Sequence, residues 1–557
     1  MRAADWWVLC GTLAFIVLYG LWRSRGTGTT RGYLLAGRSM PWYAMALSIM
    51  ATQASAITFI STTGQSYVDG MRFVQFYFGL PLAMIIISAI AVPAFHKANV
   101  YTAYEYLERR FDARVRAIVS VVFLIQRGLA VGIALYAPAA VLTVILGWPD
   151  QLTTLIMGGV VVFYTVAGGI KAITWTDVQQ MTIVLIGMVT ALITAFWLMP
   201  AGVSPLDAVH LAGAAGRLNP VVWSFNPNDR YNVWSGIIGG MFLFLAYFGC
   251  DQSQVQRYLT GRSIAHSRLS LLFNAVAKIP MQFLILFIGA VVFVFFVFEK
   301  PPVLWQQAEL QRIEAQPGFG KVRKEFDAAF AARRSAARRL IEARHRGDAA
   351  AYESGIAAYR KSQAELNASH AAAAKLTGTR DFNDTNFIFL SYVTKYMPVG
   401  IVGLVLAAVF GAAMSTSSAE INSLATVTAI DVYKRYMKRD ASDRHYLRAS
   451  QVFTAFWGIY AVATAQYGKN LGSLIEAVNM VGSLFYGTLL GVFILALKVP
   501  RAGPRGAFYG VIIGECAILA VHFTGKVAFL WYNAIGAFAV VITGWAVSRI
   551  TGEWGRS

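Results

Sequence analysis

AAVFGAAMSTSSAEINSLATVTAID, residues 407–431, sets four consecutive hydroxyls, Ser415, Thr416, Ser417 and Ser418, inside an otherwise apolar helical run. A hydroxyl on a membrane helix can bond back to the carbonyl four residues earlier, and helix packing alone accounts for most isolated cases. Four in a row, flanked by small residues that admit a neighbouring backbone, offer more oxygen than self-satisfaction needs. Neutral hydroxyl and carbonyl oxygens suit a hard monovalent cation, which trades part of its hydration shell for oxygens without meeting a full countercharge. The stretch predicts a cation site on a buried helix.

Composition makes that helix one of many in a bilayer. Of 557 residues, 57% are hydrophobic and 14% charged, outside the usual soluble range. Apolar runs of crossing length predict an all-α polytopic membrane protein with about thirteen transmembrane helices. They lie near 5–22, 40–66, 73–95, 117–147, 152–170, 177–200, 231–252, 268–298, 402–434, 445–466, 471–497, 505–523 and 527–548. The first reads as a span rather than a signal peptide, because no strongly positive region precedes Trp6 and no small-residue cleavage site follows before Arg23. Cys10, Cys250 and Cys516 have no metal-ligand spacing and suggest no disulfide framework. The formal charge of +20 falls mostly in loops rather than in a stripe with interleaved aromatics, which argues against nucleic acid. Cationic loops at 23–39, 96–116, 253–267, 435–444 and 498–504 instead predict an N-terminus outside and a C-terminus in the cytoplasm, in the plasma or inner membrane.

Polar residues at membrane depth mark the functional positions. Gln53, Ser55, Thr58, Ser61, Thr62 and Thr63 crowd one span, which predicts a helix that unwinds midway and lines a cavity. The helix after it carries Gln75 and Tyr77. Gly168 and Gly169 break a helix, and Asp177 begins the next, where it serves either as a cap or in cation release. Gly239 and Gly240 weaken another helix and make it the second broken one, with Tyr247 close to its end. Lys278 lies deep in a span before Pro280; it is either a functional cation or a snorkelling side chain. Glu476 and Asn479 open a late span. Residues 299–385, rich in Ala, Arg, Glu and Gln, predict a solvated helical hairpin outside the membrane, either without a transport role or as a lid or partner-binding surface.

Several strings in order, GYLLAGRSMPW at 32–42, GGIKAITWTD at 168–177, CDQSQVQRYLTGRS at 250–263, IVGLVLAAVFGAAMSTSSAEINS at 401–423 and the DVY from Asp431, resemble the solute:sodium symporter family. The resemblance spans nearly the whole chain except 299–385. It implies a LeuT-type fold of two five-helix inverted repeats, 40–200 and then 231–298 with 386–497, preceded by a helix and loop at 1–39 and followed by two peripheral helices at 498–557. It implies sodium held by the carbonyls of Ala51, Ala54 and Ala412 and the hydroxyls of Ser415 and Thr416, with Asp177 in coupling. It also implies a solute site drawing on Gln53, Thr58, Gln75, Tyr77, Tyr247, Lys278 and Asn479. Sugar carriers of the family place glutamine at Thr58, glutamate near Tyr77 and asparagine near Phe244; their absence argues against a hexose bound in that way. Lys278 could favour a carboxylate instead. The expected activity is sodium-coupled import of a small polar organic solute across the bilayer, with a proton-coupled carrier or a membrane sensor as alternatives. No convergent nucleophile and base or histidine cluster suggests an enzyme.

Overall fold

The computed structural model describes residues 1–25, 28–146, 148–379, 382–467 and 474–555. Among them every regular element is helical, apart from one isolated bridge between Met40 and Gly261. Nine helical stretches in these residues are long and apolar enough to cross a membrane. The other expected spans fall on helices that are divided, joined or more polar. Residues 40–66 divide between Trp42–Gln53 and Ala56–Asp69; 152–170 and 177–200 run together as Asp150–Trp197. Residues 231–252 contain only the shorter Ser235–Gly249 apolar stretch, and 445–466 correspond to Asp443–Ala465 with its charged first turns. The expected spans 117–147 and 471–497 reach residues 147 and 471–473, which lie outside the described residues.

Both broken helices are present, but the second breaks elsewhere than the glycines suggested. Gly239 and Gly240 sit in a π-helical stretch, Ser235–Gly240, that continues directly into Met241–Gly249. Their role is close approach: a Cβ on Gly239 would fall 3.0 Å from the Leu530 carbonyl oxygen and one on Gly240 2.6 Å from that of Phe76. The chain leaves the helix at Cys250 and Asp251, and Asp251 caps Gln252–Leu259 by accepting the Ser253 amide. Asp177 likewise does not open a helix. Asp150–Trp197 passes through Gly169, whose φ of 55° makes the kink, and Asp177 lies two turns beyond it.

The insertion is a hairpin of Phe319–His345 and Ala349–Leu376, turned at Gly347 with φ 69°. Ala336, Ala337, Leu340, Ile341 and Tyr359 pack with Phe293, Val297 and Leu211 at the end of Ile264–Phe298 and on Pro205–Ala214. Asp207 of that short helix accepts from Ser204 at its cap, pairs with Arg344, and contacts His345 Nε2 at 3.0 Å. At the N-terminus, the buried Asp5 accepts the Gly400 amide at 2.6 Å, tying Ala3–Arg23 to the start of Ile401–Val427.

Candidate functional site

The first break brings carbonyls to the hydroxyl helix. Helical bonding in Trp42–Gln53 ends with the Ala54 amide on the Met50 carbonyl at 2.8 Å. The following carbonyls meet side-chain donors: Gln53 O accepts from Thr58 Oγ1 at 3.3 Å, and Thr52 O accepts from Thr416 Oγ1 at 3.0 Å. Thr416 also reaches Ala412 O on its own helix at 3.2 Å and is only 7% exposed, so it faces the break rather than lipid. Ser55 restarts the chain by capping Ala56–Asp69. Ala412 and Thr416 thus meet the end of Trp42–Gln53, the segment that holds Ala51 and leads into Ala54, at one crossing of two helices rich in neutral oxygens.

Ser415 turns the other way. Its hydroxyl donates to Asp177 Oδ1 at 2.6 Å, while Asp177 Oδ2 accepts from Ser48 Oγ at 2.6 Å and Arg257 Nη1 at 2.5 Å. Asp177 is fully buried, and its bonds go to three other elements, so the capping reading of the sequence is replaced by a carboxylate that joins both broken helices to the hydroxyl helix. Ser418 Oγ donates to Ser415 O at 3.0 Å, and the buried Ser417 hydroxyl has no hydrogen-bond partner.

The expected solute residues separate into two groups. Lys278 is 0% exposed, its Nζ has no hydrogen-bond partner, and it lies 5.6 Å from the Tyr77 ring centroid. Tyr77 stacks on Phe244 with centroids 5.6 Å apart. Asn274 Nδ2 donates to Ala46 O and Ser66 Oγ to Leu286 O, so Lys278, between those two contacts on Ile264–Phe298, is level with the break. Gln53 Oε1 and Asn479 Nδ2 are also buried and unpartnered. Gln75, by contrast, has both amide atoms engaged: Nε2 donates to Arg72 O and Tyr231 O, and Oε1 accepts from the Val222 amide. It stitches backbone in this conformation. Thr58 closes the break, and the Tyr247 hydroxyl accepts from Gln254 Nε2 at 2.7 Å.

An ion network not singled out from sequence lies one turn past the hydroxyls. Arg127 Nε donates to Asp251 Oδ2 at 2.7 Å, Nη1 to Glu420 Oε1 at 2.7 Å and Nη2 to the Tyr486 hydroxyl at 2.7 Å. All are buried, and the Glu420 Oε2 atom has no hydrogen-bond partner. The sequence signal was there: an arginine in the middle of the apolar FLIQRGLAVG run marks a functional position by its cost alone.

A sequence model of the sodium:solute symporter family matches residues 33–303 and 363–514. Human sodium-coupled monocarboxylate transporter 1 is 29% identical over 515 residues, covering 92% of this chain and 72% of the relative. The sodium/sialic acid symporter SiaT of Proteus mirabilis is 27% identical over 545 residues, covering 96% and 93%. A solved sodium-coupled sialic acid symporter, in a substrate-bound outward-open state with a novel sodium site, superposes with a TM-score of 0.76 at 25% identity over 99% of this chain and 98% of that one. The chain belongs to the sodium:solute symporter family, and is an integral membrane protein that moves a solute together with sodium rather than an enzyme.

Proposed function

We propose that the transported solute is a small carboxylate, held by Lys278 beside the sodium site. The observation that carries this reading is the fully buried ammonium of Lys278, without a hydrogen-bond partner, level with the first break. A charge at that depth is costly unless a ligand satisfies it. Tyr77 lies beside it, Gln53, Thr58, Tyr247 and Asn479 are assigned to the same solute site, and Gln75 fixes the backbone near Tyr77. Relatives named for monocarboxylates and for sialic acid support an anionic solute.

Sodium is assigned to the carbonyls of Ala51, Ala54 and Ala412 and the hydroxyl of Thr416, joined by the Ser415 hydroxyl once it leaves Asp177, to which it donates in this conformation, with Asp177 taking that bond back when the ion leaves. Binding across the crossing of the two helices would hold the outward-facing arrangement and raise affinity for the solute, and linkage requires the solute to tighten sodium equally. About thirteen spans, an outside N-terminus and a cytoplasmic C-terminus fit the cationic loops, and put 299–385 outside, where it could meet a partner. The proton-coupled alternative is not favoured, since the relatives are named for sodium. The test is uptake of labelled acetate, lactate and sialic acid into proteoliposomes with an inward sodium gradient. Sodium-dependent uptake of a carboxylate that Lys278→Gln abolishes is the expected result; uptake of a neutral solute alone, or carboxylate uptake indifferent to Lys278→Gln, overturns the assignment.

A further inference from the structure

The end of the molecule that carries the insertion holds a second pair of cations, the buried Arg333 and the half-buried Arg217, away from the sodium and solute residues. Arg333, on Phe319–His345, is 0% exposed. Its Nη1 donates to Gln363 Oε1 at 2.8 Å and its Nη2 to the Phe296 carbonyl at 2.5 Å, while Nε is buried without a partner. Arg217, after Pro205–Ala214, has its guanidinium 4.8 Å from the Phe293 ring centroid, and its Nε is likewise buried and unpartnered. The buried hydroxyl of Tyr359, from the other arm of the hairpin, has no partner either. Tyr67, at the end of Ala56–Asp69, closes the group within hydrogen-bonding range of Arg333 and the electrostatic reach of Arg217. Four segments far apart in sequence therefore converge on two guanidiniums and three unanswered donors.

The carboxylates nearby are engaged elsewhere. Asp69, which acts on Arg217 electrostatically, is exposed and accepts from Gln65. Asp384 accepts the Trp305 amide at 2.6 Å and lies 3.4 Å from His370. Burial pushes the pKa of both arginines down, yet a guanidinium remains charged inside a protein. A buried cation whose donors lack acceptors is what a small anion satisfies through charge-assisted bonds. We propose that Arg217, Arg333, Tyr359 and Tyr67 form a binding site for a small monovalent anion, either chloride or a free carboxylate. Arg333 and Tyr359 fall in 304–362, which the family match omits, whereas Tyr67 and Arg217 fall inside it. The insertion thus completes a site that the family framework alone leaves open, at the end of the helix that also carries the first break.

The test is thermal denaturation of the purified full chain in sodium HEPES at constant sodium, titrated with chloride in one arm and acetate in the other. A saturable rise in Tm in either arm is expected, and the arm that responds identifies the source. Arg333→Gln and Arg217→Gln should each remove it, Tyr359→Phe should lower apparent affinity about tenfold by deleting one donor, and the rise that belongs to this site is the part that persists in Lys278→Gln, where acetate no longer meets the solute site. That last variant separates this site from the solute assignment, which fails or stands on uptake. Should Arg333→Gln not fold, Arg217→Gln and Tyr359→Phe decide. No saturable shift in either arm for the unaltered chain, or full shifts in Arg217→Gln and Tyr359→Phe, would overturn the proposal.

Discussion

Thr416 holds the crossing together in this conformation with one shared proton, bonding both Thr52 O and Ala412 O. Thr416→Ala deletes a proposed sodium ligand and a helix contact. A lost hydrogen-bonding group of this kind is worth roughly 1 to 1.5 kcal/mol, so the sodium concentration for half-maximal uptake should rise about tenfold, with Thr416→Ser restoring most of it. An unchanged sodium dependence would remove Thr416 from the site. Lys278 makes the opposite kind of prediction for stability. Because its ammonium is buried and unpartnered, Lys278→Met should raise Tm in the absence of solute while abolishing carboxylate uptake, as an apolar chain of similar length relieves the desolvation cost. A fall in Tm would mean that Lys278 stabilises the fold through contacts of its own.

The insertion hairpin is fastened through Asp207, and that fastening is acid-sensitive. Burial alone raises the pKa of the Asp207 carboxyl, but the Ser204 hydroxyl and amide and His345 outweigh it and hold the value below the ordinary one. A carboxyl depressed in the folded state contributes stability in full above its unfolded pKa, near ~4, and loses it as pH falls through the lower folded value. Hydrogen exchange should therefore report a protected hairpin at pH 6 that loosens below about pH 4, and Asp207→Asn should loosen it at both. Equal protection in Asp207→Asn would show that apolar packing suffices. The kink in Asp150–Trp197 is equally specific. Gly169 has φ 55°, and a Cβ there would fall 2.5 Å from the Tyr33 carbonyl oxygen. Gly169→Ala should cost about 1–3 kcal/mol from strain and reduce folded yield; normal yield and Tm would mean that the neighbouring chain yields.

Charge movement reports how many sodium ions accompany each solute across the assembled molecule. Each net positive charge carried inward gains about 2.3 kcal/mol per 100 mV, enough for accumulation of about fiftyfold. Collapsing an inside-negative potential at a fixed sodium gradient should lower solute accumulation in proteoliposomes; indifference to the potential would mean that no net charge crosses. With a monovalent carboxylate as solute, a dependence on the potential requires more than one sodium per cycle, because a single sodium would be neutralised by its companion.

The strings that carried the family, the hydroxyl run and the polar stretch around the first break were legible because each is local, a concentration of oxygens or loss of apolar continuity within a few turns. The partners chosen across the fold were not. Ser48, Asp177, Arg257 and Ser415 form one cluster although they are spread from position 48 to 415, and nothing in the chain pairs them before the helices pack. The glycine pair at 239–240 was misread for the same reason. Glycine lowers helix propensity everywhere, but whether it opens a helix or admits a neighbour depends on what lies opposite, here the Leu530 and Phe76 carbonyls. Periodicity and composition fix which segments enter the bilayer because each segment meets the same solvent. Which buried charge is answered and which is left for a ligand is a matter of contacts between distant segments, and Lys278 and Arg333 acquire their meaning there.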